Sequence, residues 1–199
     1  IGGSAFYECS SLTSIKIPKD VMSIEGWAFS DCEKLTSIKI PEGVTSIGES
    51  AFKGCSSLTS IKIPEGVTSI GDNAFEDCSS LTSINIPEGV TSIGKSAFSG
   101  CERLTGINIP ESVTSIGDDA FYGCDELPPH LLVYDNGTKC YGWVGDKSKC
   151  IEVTIPKSVT SIRRSAFSKC SSLTSVYIPE GVTSIGDWAF GGCDSLTDI

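Results

Sequence analysis

Residues 54–71 read GCSSLTSIKIPEGVTSIG, and nearly the same stretch recurs at every 23rd position before and after it. All eight phenylalanines fall in one column at this spacing, and so do eight of the ten cysteines. The cysteine column comprises Cys9, Cys32, Cys55, Cys78, Cys101, Cys124, Cys170 and Cys193. A fixed period of this length is typical of stacked repeats, because one unit cannot bury its apolar residues against itself. The sequence therefore predicts a repeat solenoid.

Each unit contains the signals of two short strands and a turn. In the segment SIKIP, two isoleucines lie two residues apart, which predicts a strand with both of them inward and the lysine outward. The proline ends that strand, since it has no N–H for the ladder. VTSIG predicts a second short strand, its glycine allows the chain to turn, and a segment such as DNAFEDC is long enough only for a helical turn.

The repeating unit resembles the BspA-like leucine-rich repeat, whose pattern is L-x-x-I-x-I-P-x-x-V-x-x-I-G-x-x-A-F-x-x-C. At least seven units carry it, over nearly the whole chain. The resemblance implies one leucine-rich-repeat domain over residues 1–199, built as a right-handed array with short parallel β-strands and short helical turns. It also implies a secreted or cell-surface protein that adheres to host matrix proteins or to other cells.

Composition excludes several classes of function. The net charge is −10, which argues against nucleic acid and against anionic membranes, since both attract a basic stripe. No apolar run is long enough for a membrane helix, so we expect no membrane insertion. The chain starts and ends inside repeats without polar caps, which indicates a piece of a longer protein.

The cysteine column is interpreted as buried free thiols. A small, weakly polar thiol is a good core residue, and parallel side-chain directions fit disulfide geometry poorly. Ligands that recur once per repeat along a line do not converge on a metal ion, so neither a metal nor a cofactor is expected.

One unit, about residues 125–151, does not follow the repeat. Threading it in register would place Lys139 in an Ile slot and Lys147 in the Cys slot, and burying both lysines unpaired is costly. The segments LLVY and TKCYGWV flank Asn136-Gly137, a pair that readily adopts the positive φ of a tight turn. We expect a hairpin-like unit at this place.

The irregular unit also supplies candidate binding residues. Aromatic side chains outside a repetitive core often anchor interfaces. The alternative is that they pack over the discontinuity and seal the repeat edges. The candidates for contact with a partner are His130, Tyr134, Tyr141, Trp143 and, in the outward column of the strands, Tyr177.

Two cysteines of the irregular unit, Cys140 and Cys150, lie outside the main column. A local disulfide between them fits an extracellular setting. The alternative is two unpaired thiols, with Cys150 filling a Leu slot.

Function remains open between two classes. The chain has one histidine and no nucleophile, phosphate-loop or metal motif, so no enzyme is expected. The first class is a recognition or adhesion module that binds a protein or glycan of a host or neighbouring cell. The second is a passive stalk, which the near-identical outward residues from Lys39 to Glu111 favour.

Overall fold

A computed structural model describes all 199 residues of the chain. They form two compact units, residues Ile1–Glu126 and Leu127–Ile199, which are described here in turn as unit 1 and unit 2. Both are β-solenoid coils with parallel strands and almost no helix. The predicted repeat solenoid is thereby confirmed.

Unit 1 contains two four-stranded parallel sheets. The first sheet pairs identical positions of successive units, such as Ile38 with Ile61. Ile38 and Ile40 are buried and Lys39 between them is exposed, as the alternation predicted. The first sheet consists of β1 (Ser37–Lys39), β3 (Ser60–Lys62), β5 (Ser83–Asn85) and β7 (Gly106–Asn108). The second consists of β2 (Ser46–Ile47), β4 (Ser69–Ile70), β6 (Ser92–Ile93) and β8 (Ser115–Ile116).

The segment between the second strand and the cysteine is not the helical turn that we predicted. Alternate N–H groups bond to the next coil and within their own coil. The N–H of Phe29 donates to the Ala51 carbonyl of the next coil at 2.8 Å, while that of Ser30 donates to the Trp27 carbonyl of its own coil at 3.2 Å. Trp27 and Asp31 have positive φ values of 63° and 59°, which breaks the helical path at both ends. This segment therefore joins coils as the strands do.

Two columns dominate the core of unit 1. Phenyl rings of successive coils are stacked nearly parallel, with centroids 5.4 Å apart for Phe29 and Phe52. Beside them, each buried thiol donates to a phenylalanine carbonyl of the preceding coil, as Cys55 does to Phe29 at 3.2 Å. Because the thiols have a backbone acceptor, burial leaves them satisfied. Six of the eight thiols of the predicted column are buried, whereas Cys9 is exposed and Cys193 is half-buried.

Unit 2 begins with the predicted hairpin. β9 (His130–Tyr134) and β10 (Lys139–Val144) are antiparallel, and Asp135, Asn136 and Gly137 in the turn all have positive φ. β10 also pairs in parallel with β12 (Ser161–Ile162), which pairs with β14 (Ser184–Ile185). β11 (Glu152–Thr154) and β13 (Ser175–Tyr177) form a separate parallel sheet, and Lys147–Lys149 form a short 3-10 helix.

The hairpin avoids the buried lysines because its register is shifted by one residue. Cys140, not Lys139, pairs with Ile162 and takes the buried Ile position of the second strand. Lys139 thereby reaches the surface, where it forms an ion pair with Asp135 at 3.0 Å. Lys147 also keeps a partner, since its Nζ donates to the Trp143 carbonyl at 2.9 Å.

Candidate functional site

The exposed face of the β11–β13 sheet carries side chains that depart from the regular repeat. We call it the Tyr177 face and define it by Glu152, Thr154, Ser175, Tyr177 and Asp198. Parallel pairing places Thr154 beside Tyr177 and Glu152 beside Ser175, and a further bridge places Ser175 beside Asp198. These residues line an open hollow of about 300 Å³.

Tyr177 is the large side chain of this face, and 53% of its surface is exposed. Its neighbour in the strand, Val176, is 3% exposed and faces the core. Because side chains alternate along a strand, the buried valine fixes the tyrosine in its outward direction. The ring is therefore held by the scaffold and not by a flexible loop.

The chemistry of the Tyr177 face suits a partner that donates hydrogen bonds. Glu152 and Asp198 supply carboxylate acceptors at one edge, and both residues are exposed. Thr154 and Tyr177 add hydroxyl groups, and the phenol ring adds an apolar surface that can stack or accept a cation. Lysine and arginine side chains or sugar hydroxyls match this combination.

The corresponding face of unit 1 is more uniform. Its outward residues on β1, β3, β5 and β7 are Lys39, Lys62, Asn85 and Asn108, all exposed. Lys62 forms an exposed ion pair with Glu42 at 3.0 Å. An exposed pair of this kind contributes little free energy, so it serves solubility more than order.

Two of the predicted contact residues pack inward, Tyr134 buried and Trp143 half-buried. Tyr134 is only 7% exposed, and its hydroxyl accepts a hydrogen bond from Arg163 at 3.1 Å. Trp143 packs against the core of unit 2, and its indole N–H donates to the Asp146 carbonyl at 3.1 Å. For the buried Tyr134 this favours the alternative, in which it packs over the discontinuity, whereas contact of Trp143 with a partner stays a prediction.

Trp143 also takes over part of the role of the missing phenylalanine. Its backbone N–H donates to the Ala166 carbonyl at 2.9 Å, the kind of bond that Phe167 makes to Ala189 in the next coil. An aromatic residue therefore continues the ladder of hydrogen bonds through the irregular unit.

The hairpin holds two other candidates. Tyr141 is half-buried at the irregularity between Cys140 and Gly142, where the pairing of the two hairpin strands shifts. His130 is exposed, and its Nδ1 lies 2.7 Å from the Pro128 carbonyl oxygen. Neither belongs to the Tyr177 face.

A disulfide between Cys140 and Cys150 was one of two interpretations of the sequence, and it stays a prediction. Both residues are buried free thiols. Burial raises the pKa of the Cys140 thiol to about 12, with partial compensation by a hydrogen bond to the Gly142 backbone. The Cys150 thiol instead interacts with that of Cys170.

Glu152 and Asp198 were not among the residues predicted from the sequence. A signal for them exists, because Glu152, Ser175 and Asp198 follow one another at the repeat period, as do Thr154 and Tyr177. Reading two outward columns together would have placed the carboxylates next to the tyrosine.

Two further findings bear on function. No group of three or more His, Cys, Asp or Glu side chains is arranged to hold a metal ion. No helix has the length and apolar character needed to cross a bilayer.

The family follows from the repeats. Residues 1–128 and 144–199 match the family model of the BspA type leucine rich repeat region, in six copies. The chain belongs to the BspA-type leucine-rich repeat family. Most of the hairpin falls in the unmatched gap of this BspA-type chain, where the repeat pattern is lost.

Solved structures of bacterial leucine-rich repeat proteins resemble this BspA-type chain. The T. pallidum protein TpLRR is 29% identical with a TM-score of 0.64, covering 93% of this chain and 78% of its own. A leucine rich cell surface protein from Faecalibacterium prausnitzii is also 29% identical, with a TM-score of 0.54 and coverages of 100% and 68%. A comparison with curated proteins gives no significant match.

The pneumococcal vaccine antigen PcpA supports the fold alone. It is 19% identical, with a TM-score of 0.64, and the match covers 94% of this BspA-type chain but 60% of PcpA. PcpA is therefore the longer of the two chains.

Proposed function

We propose that this chain is a non-catalytic recognition module of a secreted or cell-surface protein. The observation that carries the proposal is the Tyr177 face, an exposed aromatic ring held on a rigid sheet between hydroxyl and carboxylate groups. Aromatic residues on rigid elements are frequent anchors of protein interfaces, because they bury a large area at small entropic cost. The leucine-rich repeat scaffold in general serves protein binding.

The extracellular setting is supported by one of the similar solved structures. It is a leucine rich cell surface protein of Faecalibacterium prausnitzii. An acidic chain with a net charge of −10 would stay soluble there and repel anionic membranes. The proposed partner is a matrix-type protein or a glycan of a host or neighbouring cell.

The charge of the Tyr177 face should determine which partner segments it prefers. Carboxylates at the edge of the Tyr177 face favour a partner segment rich in lysine or arginine over an acidic one. Such long-range attraction would weaken with salt, since the Debye length shortens to about 8 Å at physiological ionic strength.

The test replaces the exposed ring. We expect Tyr177→Ala to weaken saturable binding to a matrix protein or glycan by at least about tenfold, because truncation of a central aromatic anchor commonly costs about 2 kcal/mol. Titrating the purified chain against a panel of such ligands by surface plasmon resonance measures the effect. Since Tyr177 is exposed, the variant should keep the melting temperature of the parent.

The matched control is Asn85→Ala, which truncates the same strand position in unit 1. It should leave the affinity unchanged. Equal affinities of the parent and Tyr177→Ala would contradict the assignment of the Tyr177 face. A flat titration across the whole panel would contradict recognition itself.

The second candidate function is a passive spacer whose repeats set a distance. The near-identical outward residues of unit 1, two lysines followed by two asparagines, favour it, because a specific site needs variation along the array. In that case the binding residues would belong to other parts of the protein.

A further inference from the structure

Three lysines line an open hollow in unit 1. The hollow has a volume of about 640 Å³, and the side chains of its three lysines are exposed. Such a cluster of cations stands out in a chain whose net charge is −10. We call it the Lys39 hollow and define it by Ile15, Lys16, Pro18, Lys19, Lys39 and Pro41.

The coil that carries β3 shows how the repeat neutralises an outward lysine. Lys62 forms an ion pair at 3.0 Å with Glu42, which lies 20 residues earlier in the preceding coil. For Lys39 the residue 20 positions earlier is Lys19, so a cation stands where the repeat has a carboxylate. The later coils of unit 1 keep the glutamate of this position, as Glu65, Glu88 and Glu111.

Positive charges also follow one another across the strands. A parallel bridge places Lys16 beside Lys39, on strands that are about 4.8 Å apart. Like charges at directly opposed positions destabilise a sheet. Lys16, Lys19 and Lys39 take part in none of the ion pairs of the chain. Glu42 also borders the hollow, but its carboxylate is bound to Lys62. The hollow therefore keeps three cations that a bound anion would neutralise.

The surface between the lysines is apolar. Ile15 is half-buried, Pro18 is exposed and Pro41 is buried, and all three line the hollow. Its volume lies in the range of about 300 to 1,000 Å³ that is typical of ligand sites. A sulfated glycan would neutralise the lysines and leave the apolar lining uncovered. A peptide segment supplies carboxylates and an apolar side chain together, so it matches both parts of the hollow.

We propose that the Lys39 hollow binds an acidic protein segment. One apolar side chain of the segment enters the hollow, and flanking carboxylates pair with Lys16, Lys19 and Lys39. Lysines suit this role because each is a compact charge on a flexible stem that can follow carboxylates at several positions. The site goes beyond recognition through the Tyr177 face, since it belongs to unit 1 and selects a partner of the opposite charge.

The experiment titrates the full chain against a fluorescein-labelled peptide that has one phenylalanine between two pairs of glutamates. Fluorescence anisotropy measures the affinity. We expect saturable binding that weakens by at least about tenfold between about 0.05 and 0.5 M NaCl, because salt screens exposed charges. A peptide with serine in place of the phenylalanine should bind at least about fivefold more weakly, because the apolar contact is lost.

Lys19→Glu is the sharpest variant, because it restores the glutamate that the repeat has at this position. The new carboxylate should pair with Lys39 as Glu42 pairs with Lys62, so the melting temperature should be equal to that of the parent or higher. The affinity for the acidic peptide should fall by at least about tenfold, since a like charge now faces the ligand.

Two controls separate this site from other surfaces. Lys34→Ser removes an exposed lysine outside the hollow and should leave the affinity for the acidic peptide unchanged. Tyr177→Ala should also bind the acidic peptide as the parent does. Failure of the Lys39 hollow can therefore be distinguished from failure of the Tyr177 face.

Three results would overturn the proposal. The first is equal affinity of the parent and Lys19→Glu for the acidic peptide, or no saturable binding by the parent at low salt. The second is equal affinity of the parent for the phenylalanine and serine peptides. The third is a heparin oligosaccharide that binds more tightly than the peptide and is lost on Lys19→Glu, which would assign the hollow to a sulfated glycan.

Discussion

The glycine that closes each VTSIG segment is required by the neighbouring coil. A Cβ atom on Gly71 would lie 2.6 Å from the backbone nitrogen of Glu49 and from the carbonyl carbon of Gly48. Backbone atoms of a paired coil cannot move aside as a flexible side chain can. The sequence pattern had attributed this glycine to turning of the chain, whereas its role is to allow the coils to approach each other.

Replacing Gly71 tests this role. We expect Gly71→Ala to lower the free energy of unfolding by about 2 to 3 kcal/mol, because the added methyl group forces the two coils apart. Urea unfolding followed by circular dichroism measures the change.

Gly66 of the same coil provides the matched control. A Cβ at that position would meet its nearest atom, the Val44 carbonyl oxygen, at 3.5 Å, which is an ordinary contact. Gly66→Ala should therefore change the stability by less than about 1 kcal/mol. Equal losses in both variants would show that close approach is not the reason for Gly71.

At the scale of elements, the strands could be predicted, but the segment between the second strand and the cysteine could not. Alternation of buried and exposed residues identifies β1 and its equivalents, because a side-chain period of two leaves one solution. The spacing of Ala28, Phe29 and Cys32 fits a helical turn equally well. Only the positions of the acceptor carbonyls in the next coil decide against the helix, and these depend on stacking.

The irregular unit shows the same limit. Asn136-Gly137 between two apolar segments predicts the hairpin, but nothing in its sequence states that the pairing is shifted by one residue. That shift puts Cys140 in the core. In the same unit, the Tyr134 hydroxyl accepts a hydrogen bond from Arg163 and does not face a partner. For Tyr177 the regular repeat fixes the register, so its outward direction could be predicted.

The thiol column makes stability depend on alkaline pH. Burial raises the pKa of Cys55 from about 9 to about 12, and the pKa of Cys124 likewise. In the unfolded chain these thiols ionise from about pH 9, whereas the folded chain keeps them protonated. Since the unfolded state then binds fewer protons, stability present below pH 9 is lost as the pH rises toward 12.

We therefore expect the free energy of unfolding to fall by about 1 kcal/mol for each such thiol between pH 9 and pH 10. Urea unfolding at several pH values measures the slope. Cys55→Ala should reduce the slope by the share of one thiol. Cys9→Ala, which removes an exposed thiol, should leave the slope unchanged. A slope that is the same in Cys55→Ala and the parent would contradict this account.

At the scale of the whole molecule, stability in each unit is a sum of coils and the contacts between adjacent coils. The backbone hydrogen bonds of unit 1 also join adjacent coils only. The N–H of Gly94 donates to the Ile70 carbonyl in the coil before it, and the N–H of Gly117 donates to the Ile93 carbonyl in the same way. A local weakening should accordingly fade with distance along the unit.

Hydrogen exchange on Gly71→Ala tests this expectation. The loss of protection should be greatest at the amide of residue 71, smaller at Gly94 and smallest at Gly117. Mass spectrometry of peptides from unit 1, or NMR of the individual amides, measures the gradient. A uniform loss at all three positions would instead indicate that unit 1 opens as a single cooperative block.

The contact of Gly71 with the preceding coil also has a consequence for how such a gene can change in length. Recombination between near-identical repeats adds or removes segments of coding sequence. A segment whose length is not a whole repeat would in most cases bring a bulky residue to the position of Gly71, where only glycine fits. An in-phase exchange of one whole repeat returns a glycine to that place, with every thiol and phenyl ring in its column. The array is therefore free to grow or shrink by whole coils, while shorter insertions are confined to positions such as the hairpin turn at Asn136, where the columns are already interrupted.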